Sequence, residues 1–391
     1  MLSSEKIKVL LCDDSSLIRK LIKQSLDADN RFEVVAECAN GKEALDAIPV
    51  HQPEVIVMDV EMPIMDGVDA VRNIRQQKIN TPIVMFSTLT GGGSEATLDA
   101  LSAGANAYAT KPQAKGHIKD AFEALKVDLI PKLSALAQKN RRTESSFAAS
   151  IQKTSERLEK LSQSIVEANS NSPASPDTSD TRFHSKTGRF LGRIDAVSIG
   201  VSTGGPQALQ SLVSGLPDSF PVPIFITQHM PTAFIEPLAN RLSQYSKNPV
   251  CVPADQDTIQ SGTIYLAPGD HHMGVKAKLD RFNITLSKTP PENSCRPAVD
   301  PMLRSLTKVY QGNLLSVILT GMGKDGLEGC RGLREKGGYV IAQDEATSTV
   351  WGMPGSCVEA EVVDRILPIG EIPHEITRLC SQQRTLAVSG T

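Results

Sequence analysis

Aromatic side chains are scarce: one tryptophan, five tyrosines and ten phenylalanines amount to 4% of 391 residues. A platform that stacks unpaired bases needs several aromatics on one face, so single-strand nucleic-acid binding is excluded as a main activity. An excess of either charge is missing as well. Lysine and arginine number 41 against 44 aspartates and glutamates, and the net charge of −3 favours neither a nucleic-acid partner nor an anionic membrane surface. No run reaches the roughly 20 apolar residues that a membrane span requires. The opening MLSSEKIKVLLC lacks the basic start and long apolar core of a signal peptide. The expectation is a cytoplasmic chain with no membrane insertion. Seven cysteines, at positions 12, 38, 251, 295, 330, 357 and 380, are odd in number and include no C-x-x-C pair. That excludes a disulfide framework and a structural zinc site, leaving reduced thiols.

What the chain does have is apolar runs alternating with helix-period patterns. Its length suits two domains, and a hydrophobic content of 40% allows each a core of its own. In the first part, Ile7–Cys12, Phe32–Cys38, Val55–Asp59, Ile83–Ser87 and Ala105–Thr110 read as strands, and Leu17, Ile18, Leu21, Ile22 and Leu26 as an apolar helix face. Nearly continuous apolar strands alternating with helices predict a parallel sheet covered on both sides, with ligands beyond the carboxyl ends of the strands. From about Ser134 the character changes. Eleven serines lie between Ser145 and Ser185, with Pro173 and Pro176 near the end, which is the composition of a linker. Ile151, Leu158, Leu161 and Ile165 predict one short amphipathic helix inside it. A second alternation begins at Leu191. Ala196–Val201, Ile224–Thr227, Leu314–Thr320 and Tyr339–Ala342 read as its strands, and Gly262–Ala267 with Phe282–Ser287 as the arms of a β-hairpin. The expected fold class is α/β, with two doubly wound parallel-sheet domains over 1–130 and 190–385 joined by a serine-rich linker over 131–189.

Strand ends of the first domain carry its chemistry. Asp13 and Asp14 follow the first strand, Asp59 ends the third, Ser87 ends the fourth, and Lys111 follows the fifth. Clustered carboxylates repel unless a cation neutralises them, and Mg²⁺ suits a few carboxylates plus water. With Asp14 and Asp59 on the metal, a free Asp59 oxygen can attack phosphorus while Lys111 offsets the charge of the new phosphoryl group. CDDS at 12–15, MDVEMPIMDG at 58–67, MFST at 85–88 and ATKP at 109–112 resemble the flavodoxin-like receiver domain of bacterial response regulators. The resemblance implies that Asp59 is the phosphoacceptor, and that Asp14, Asp59 and the Glu61 carbonyl hold Mg²⁺ with Asp13 nearby through water. It further implies a switch hydroxyl at Ser87, an aromatic switch at Tyr108 and the family's lysine at Lys111.

The second domain opens on IGVSTGG, residues 199–205, a strand running into a serine framed by glycines. Glycines between a strand and a helix suit a phosphate cradle, yet neither G-x-G-x-x-G nor G-K-[ST] is present. Gly200, Ser202 and Gly204 match G-x-S-x-G, the turn that exposes a nucleophilic hydroxyl. His229 follows the next apolar strand and lies level with Ser202. His271 and His272 fall in the PGDHH turn, where a substrate-side or solvated role is expected, and His374 lies in a polar stretch. LLSVILTGMGKDG brings Asp325 to a third strand end, where it could orient an imidazole or cap the helix that follows. Its glycines allow backbone N–H groups, including that of Met322, to face an oxyanion. A response regulator with a non-catalytic output domain and a nucleotide-binding domain under receiver control are the other readings of these residues.

The order Ser, His, Asp differs from that of α/β hydrolases. IGVSTGGPQAL, ITQHMP, YLAPGDHH, SCRPAVDPM, LTGMGKDG and QDEATSTVWGMP resemble the Rossmann-like catalytic domain of chemotaxis-specific protein-glutamate methylesterases, so that with the receiver nearly the whole chain is covered. This resemblance implies Ser202 as nucleophile, His229 as base and Asp325 as its orienter. It implies demethylation of glutamate γ-methyl esters and deamidation of glutamines on methyl-accepting chemoreceptors, a chemotaxis histidine kinase as phosphodonor, and no cofactor for the ester reaction. Lys324 stands where the family often has asparagine, and the linker is longer than the family pattern.

Overall fold

The computed structural model describes residues 5–88, 90–112, 119–142, 192–278 and 281–381. The N-terminal unit runs β1 (Ile7–Cys12), α1 (Ser16–Asp27), β2 (Phe32–Cys38), α2 (Gly41–His51), β3 (Val55–Asp59), α3 (Gly67–Gln76), β4 (Ile83–Ser87), α4 (Gly91–Ala103) and β5 (Ala107–Thr110), then α5, helical through residues 119–142. Its sheet has the order β2-β1-β3-β4-β5 with every pairing parallel. Successive strand residues point to opposite faces, and the sequence fills both. Val9 and Leu11 pack with Ile22 and Leu26 of α1 and Leu125 and Leu129 of α5, whereas Leu10 and Cys12 pack with Ile48, Val71 and Leu98 on the other face. Polar caps then stop the chain at each strand end. Ser15, Asn40, Asp66 and Thr90 accept the free N–H groups of α1, α2, α3 and α4 and so fix the loops above the sheet.

α5 continues past residue 131, where the sequence pattern places the start of the linker. Leu133, Leu136 and Ala137 are buried, because the apolar spacing set by Leu125 and Leu129 runs on unbroken. The short helix expected around Ile151–Ile165 lies outside the described residues.

The C-terminal unit comprises β6 (Ala196–Val201), α6 (Gly205–Ser214), β7 (Ile224–Gln228), α7 (Thr232–Tyr245), β8 (Val250–Cys251), β9 (Ile264–Leu266), β10 (His272–Lys278) and β11 (Arg281–Ser287). It continues with α8 (Val299–Tyr310), β12 (Leu314–Ile318), α9 (Leu327–Glu335), β13 (Tyr339–Gln343), α10 (Gly352–Glu359), β14 (Arg365–Leu367) and α11 (Ile372–Ser381). Seven strands form a parallel sheet in the order β14-β13-β12-β6-β7-β9-β8. The chain leaves β6 toward β7 on one side and returns to β12 on the other. The crevice of this doubly wound sheet therefore opens above β6, β7 and β12. The hairpin differs from the expected one. β9 lies inside the main sheet with Ile264, Tyr265 and Leu266 all buried, and β11 pairs antiparallel with β10. A run apolar on both faces belongs in a covered sheet, whereas the polar end of β10 suits an exposed ribbon.

The two units touch along one face of the first. Gln207 donates to the main-chain oxygens of Leu101 (2.7 Å) and Ala105, while Arg241 donates to Leu98 O (2.9 Å) and Ser102 Oγ (2.5 Å) and pairs with Asp99. Tyr108 stacks on Phe234 of α7 with ring centroids 4.9 Å apart. From α5, Lys139 donates to Ser348 O, and Val350 joins the apolar cluster under that helix.

Candidate active site and acidic pocket

Pairing register sets the acidic pocket. Cys12 lies opposite Met58, Asp59 opposite Phe86, and Ser87 opposite Thr110, so Asp13, Asp59, Ser87 and Lys111 emerge level with one another. Lys111 Nζ lies 2.8 Å from Asp13 Oδ2 and 2.6 Å from Asp59 Oδ2. Oxygens of Asp13, Asp14 and Asp59 fall within 4.8 Å of one another. Burial pushes the Asp59 carboxyl up to about 6, with Lys111 opposing the shift and Asp13 adding to it. One ammonium against three carboxylates leaves negative charge in excess on hard oxygen donors, a set that fits a divalent cation such as Mg²⁺. Glu61 follows on the same loop with its side chain exposed. The buried Ser87 hydroxyl donates to Gly93 O at 3.1 Å, and Tyr108 faces the other unit.

The second site opens above β6, β7 and β12. Ser202 follows β6 and His229 follows β7, and the pairing of Val201 with Gln228 puts them side by side. The turn at Ser202 is stitched to the one after β12: Ser202 N–H donates to Thr320 O (3.0 Å), and Thr320 Oγ1 to Thr203 O (2.8 Å). Two glycines make this approach possible. Gly204 has φ +81°, and a Cβ on Gly321 would lie 2.8 Å from that of Ser202.

His229 Nε2 donates to Asp325 Oδ2 at 2.7 Å, which leaves Nδ1 to receive a proton. Among the described residues Ser202 Oγ makes no hydrogen bond to His229. Both line one cavity of about 680 Å³ together with Cys295, Arg296, Met322 and Lys324. Asp325 is buried and surrounded by donors. Val299 N–H reaches its Oδ2 at 2.6 Å, and Asp300 N–H (3.1 Å) and Gly326 N–H (3.0 Å) reach Oδ1. Its carboxylate therefore sits at the N-terminus of α8, where main-chain dipoles favour an anion. The sequence leaves open a cap on the helix after Asp325; the helix it caps is instead α8. Against the effect of burial, the hydrogen bond from His229 and these amides hold Asp325 below the usual carboxylate range. Burial alone would lower His229, but Asp325 and the adjacent Cys295 outweigh it and push the imidazole up to about 9.

The remaining histidines fall elsewhere. His272 is buried, not solvated: its Nδ1 accepts from Ala298 N–H (3.2 Å) and its Nε2 donates to Pro290 O (3.1 Å), an arrangement that ties the loop before α8 to the hairpin. His271 bonds Gly269 O at 3.0 Å, and His374 is exposed on α11. Met322 lines the cavity and also packs against the cluster beneath α5. Sequence reasoning missed Asn293, which donates to Asp325 Oδ1 at 2.9 Å. It also missed Thr110, Val127, Asp128 and Lys132, which join Tyr108 as the first unit's share of the cavity.

Residues 197–376 match the family model described as CheB methylesterase, and residues 9–123 match that of the response regulator receiver domain. Over 376 residues the chain is 42% identical to a protein-glutamate methylesterase/protein-glutamine glutaminase of Trichodesmium erythraeum, with 95% of this chain and 99% of that one covered. The chain belongs to the protein-glutamate methylesterase/protein-glutamine glutaminase family. A family member from a Nocardioides species is 39% identical over 378 residues, covering 97% of this chain and 96% of that one. The catalytic domain of the Thermotoga maritima CheB methylesterase is 41% identical with a TM-score of 0.47, covering 48% of this chain and 100% of that one. The protein is thus a hydrolase of the methylesterase/glutaminase family with a receiver domain ahead of its catalytic part. None of its described helices is long and apolar enough to cross a membrane.

Proposed function

We propose that the chain hydrolyses glutamate γ-methyl esters, and deamidates glutamines, on chemoreceptors in the cytoplasm by a Ser-His-Asp mechanism that phosphorylation switches on. The observation that carries the reading is the His229–Asp325 pair set beside Ser202 in one cavity whose rim comes partly from the receiver. Ser202 Oγ attacks the side-chain carbonyl, and His229 Nδ1 takes its proton and returns it to the departing methanol or ammonia. The Met322 N–H holds the oxyanion. Water then takes the place of the alcohol, with His229 again as base, and releases the glutamate carboxylate. The ester reaction requires no cofactor.

The receiver, residues 1–130 by sequence pattern and prolonged by α5 to 142, restrains this site. Tyr108, Val127 and Lys132 narrow the cavity from one side, and Gln207 and Arg241 fasten α4 to the catalytic unit. A substrate helix meets this wall before it meets Ser202. A chemotaxis histidine kinase is the phosphodonor, and Asp59 accepts the phosphoryl group. Mg²⁺ would be held by Asp13, Asp14, Asp59 and the Glu61 carbonyl, and when bound it supplies neutralising charge for phosphoryl transfer. Ser87 then leaves Gly93 O for the phosphoryl group, and Tyr108 leaves Phe234.

Release of methanol from methylated receptor membranes by the purified chain tests the reaction; none above the spontaneous rate, with the phosphodonor present, refutes it. Labelling by a small phosphodonor should require Mg²⁺ and disappear in Asp59→Asn. Acid-stable label on serine would contradict the assignment of Asp59.

A further inference from the structure

The loop between β11 and α8 contains two successive residues at positive φ, Asn293 at +50° and Ser294 at +62°. Neither is glycine, and such backbone persists where its surroundings fix it. The Asn293 side chain shows what is being fixed. Its amide nitrogen donates to Asp325 Oδ1 and to Asp300 Oδ2, each at 2.9 Å. Asp300 Oδ1 already takes the Gly329 N–H at 2.7 Å, and the Asp325 carboxyl lies within hydrogen-bonding reach of Asp300. Two carboxylates, both buried, thus lie side by side with one amide between them. Burial and the neighbouring Asp325 push Asp300 above the usual carboxylate range. Removing the shared donor leaves the acids to repel, and a turn of Asp325 away from Asp300 weakens its hold on His229.

Building on the triad reading above, we propose that Asn293 is a positioning residue for ester hydrolysis, its amide bridging Asp300 and Asp325 so that the Asp325 carboxylate stays on His229. Three main-chain N–H groups also hold Asp325, so losing Asn293 tilts the acid without unseating it. The expected effect is therefore about tenfold on kcat, the worth of one hydrogen bond to a charged group.

The test uses the full chain, saturated with phosphodonor, on methylated receptor membranes, with kcat, KM and thermal midpoint measured together. Asn293→Gly tolerates the positive φ and removes the amide; kcat should fall about tenfold with KM within about twofold. Asn293→Asp keeps the shape but sets a third carboxylate in the cluster, and should fall further. Adding Asp300→Asn to it returns one amide between two carboxylates and should recover most of the lost kcat. A purely structural role would lower the midpoint without that recovery. Wild-type kcat in Asn293→Gly, or a double variant no better than Asn293→Asp, overturns the proposal. Asp325→Ala in the same assay separates the two readings: if it remains active the triad itself is wrong, and if it is dead while Asn293→Gly is normal only the role of Asn293 falls.

Discussion

The two strand-end sites share a topology and hold their charges by opposite means. In the acidic pocket Asp59 answers to a side chain, the Lys111 ammonium 2.6 Å away, and burial leaves its carboxyl pushed up to about 6. In the ester site Asp325 answers to His229 and, behind it, to main-chain N–H groups at the start of α8, and against burial it sits below the usual carboxylate range. A flexible ammonium can swing away when a cation or phosphoryl group arrives. Main-chain dipoles cannot, and an acid that must orient one imaginary line between His229 and Ser202 gains from that rigidity. The site that changes partners sets a mobile ammonium against its acid; the site that keeps them adds fixed main-chain donors to its side chains.

The sharpest way to break this comparison is to remove the groups said to be fixed. Ser202→Ala should cost about 10⁴–10⁶ in kcat. Asp325→Asn, which keeps the shape and offers the wrong tautomer partner, should cost about 10⁴. Both should leave phosphorylation of Asp59 intact, and near-normal methanol release from either variant would end the triad assignment.

Next in size is the pH dependence. His229 must be neutral to act as base, and its environment pushes it up to about 9. Activity should therefore fall as pH drops below about 9, well above the roughly 6.5 of an unperturbed imidazole. In Asp325→Asn the acid limb of the residual activity should move to lower pH, because one of the two groups that raise His229 has been neutralised. A limb near 6.5 in the wild-type chain would show that Asp325 does not hold the imidazolium.

The smallest effect concerns the contact between units. A tenfold gain in activity corresponds to about 1.4 kcal/mol, the scale of a few partly exposed hydrogen bonds. A chain beginning at Arg189 should thus exceed the unphosphorylated full chain by about that factor, and Arg241→Ala should recover part of it. Equal rates on receptor membranes for the truncated and unphosphorylated full-length proteins would rule out restraint by the receiver.

Most of the acidic pocket was legible because its residues lie at, or one to two positions beyond, apolar strands whose period betrays them. Ser202 and His229 were legible for the same reason. What escaped depends on pairing at a distance. β8, two residues long, and β14, three, carry too little pattern to register. The hairpin arms were misassigned because Ile264–Leu266 and Phe282–Ser287 look alike until one is seen to be covered on both faces. His272 sits two residues after exposed Asp270, and nothing local shows that Pro290 and Ala298 close over it. Asn293 reads as an ordinary polar loop residue. Its signal, an Asn-Ser pair just ahead of an apolar helix, acquires meaning only once the N-terminus of α8 is known to face Asp325.

The fastening between the units is lopsided in what it would cost to mutate. Gln207 donates to the main-chain oxygens of Leu101 and Ala105, so its acceptors belong to the path of the chain, whereas Arg241 takes Leu98 O together with the side chains of Asp99 and Ser102. Any residue at 101 or 105 that keeps the backbone path offers Gln207 the same oxygens. A random library screened for chains active without phosphodonor should therefore collect changes at Gln207, Arg241, Asp99 and Ser102 far more readily than at Leu101 and Ala105. Over evolutionary time the receiver's surface is free to drift under Gln207, while under Arg241 both units carry the memory of the contact.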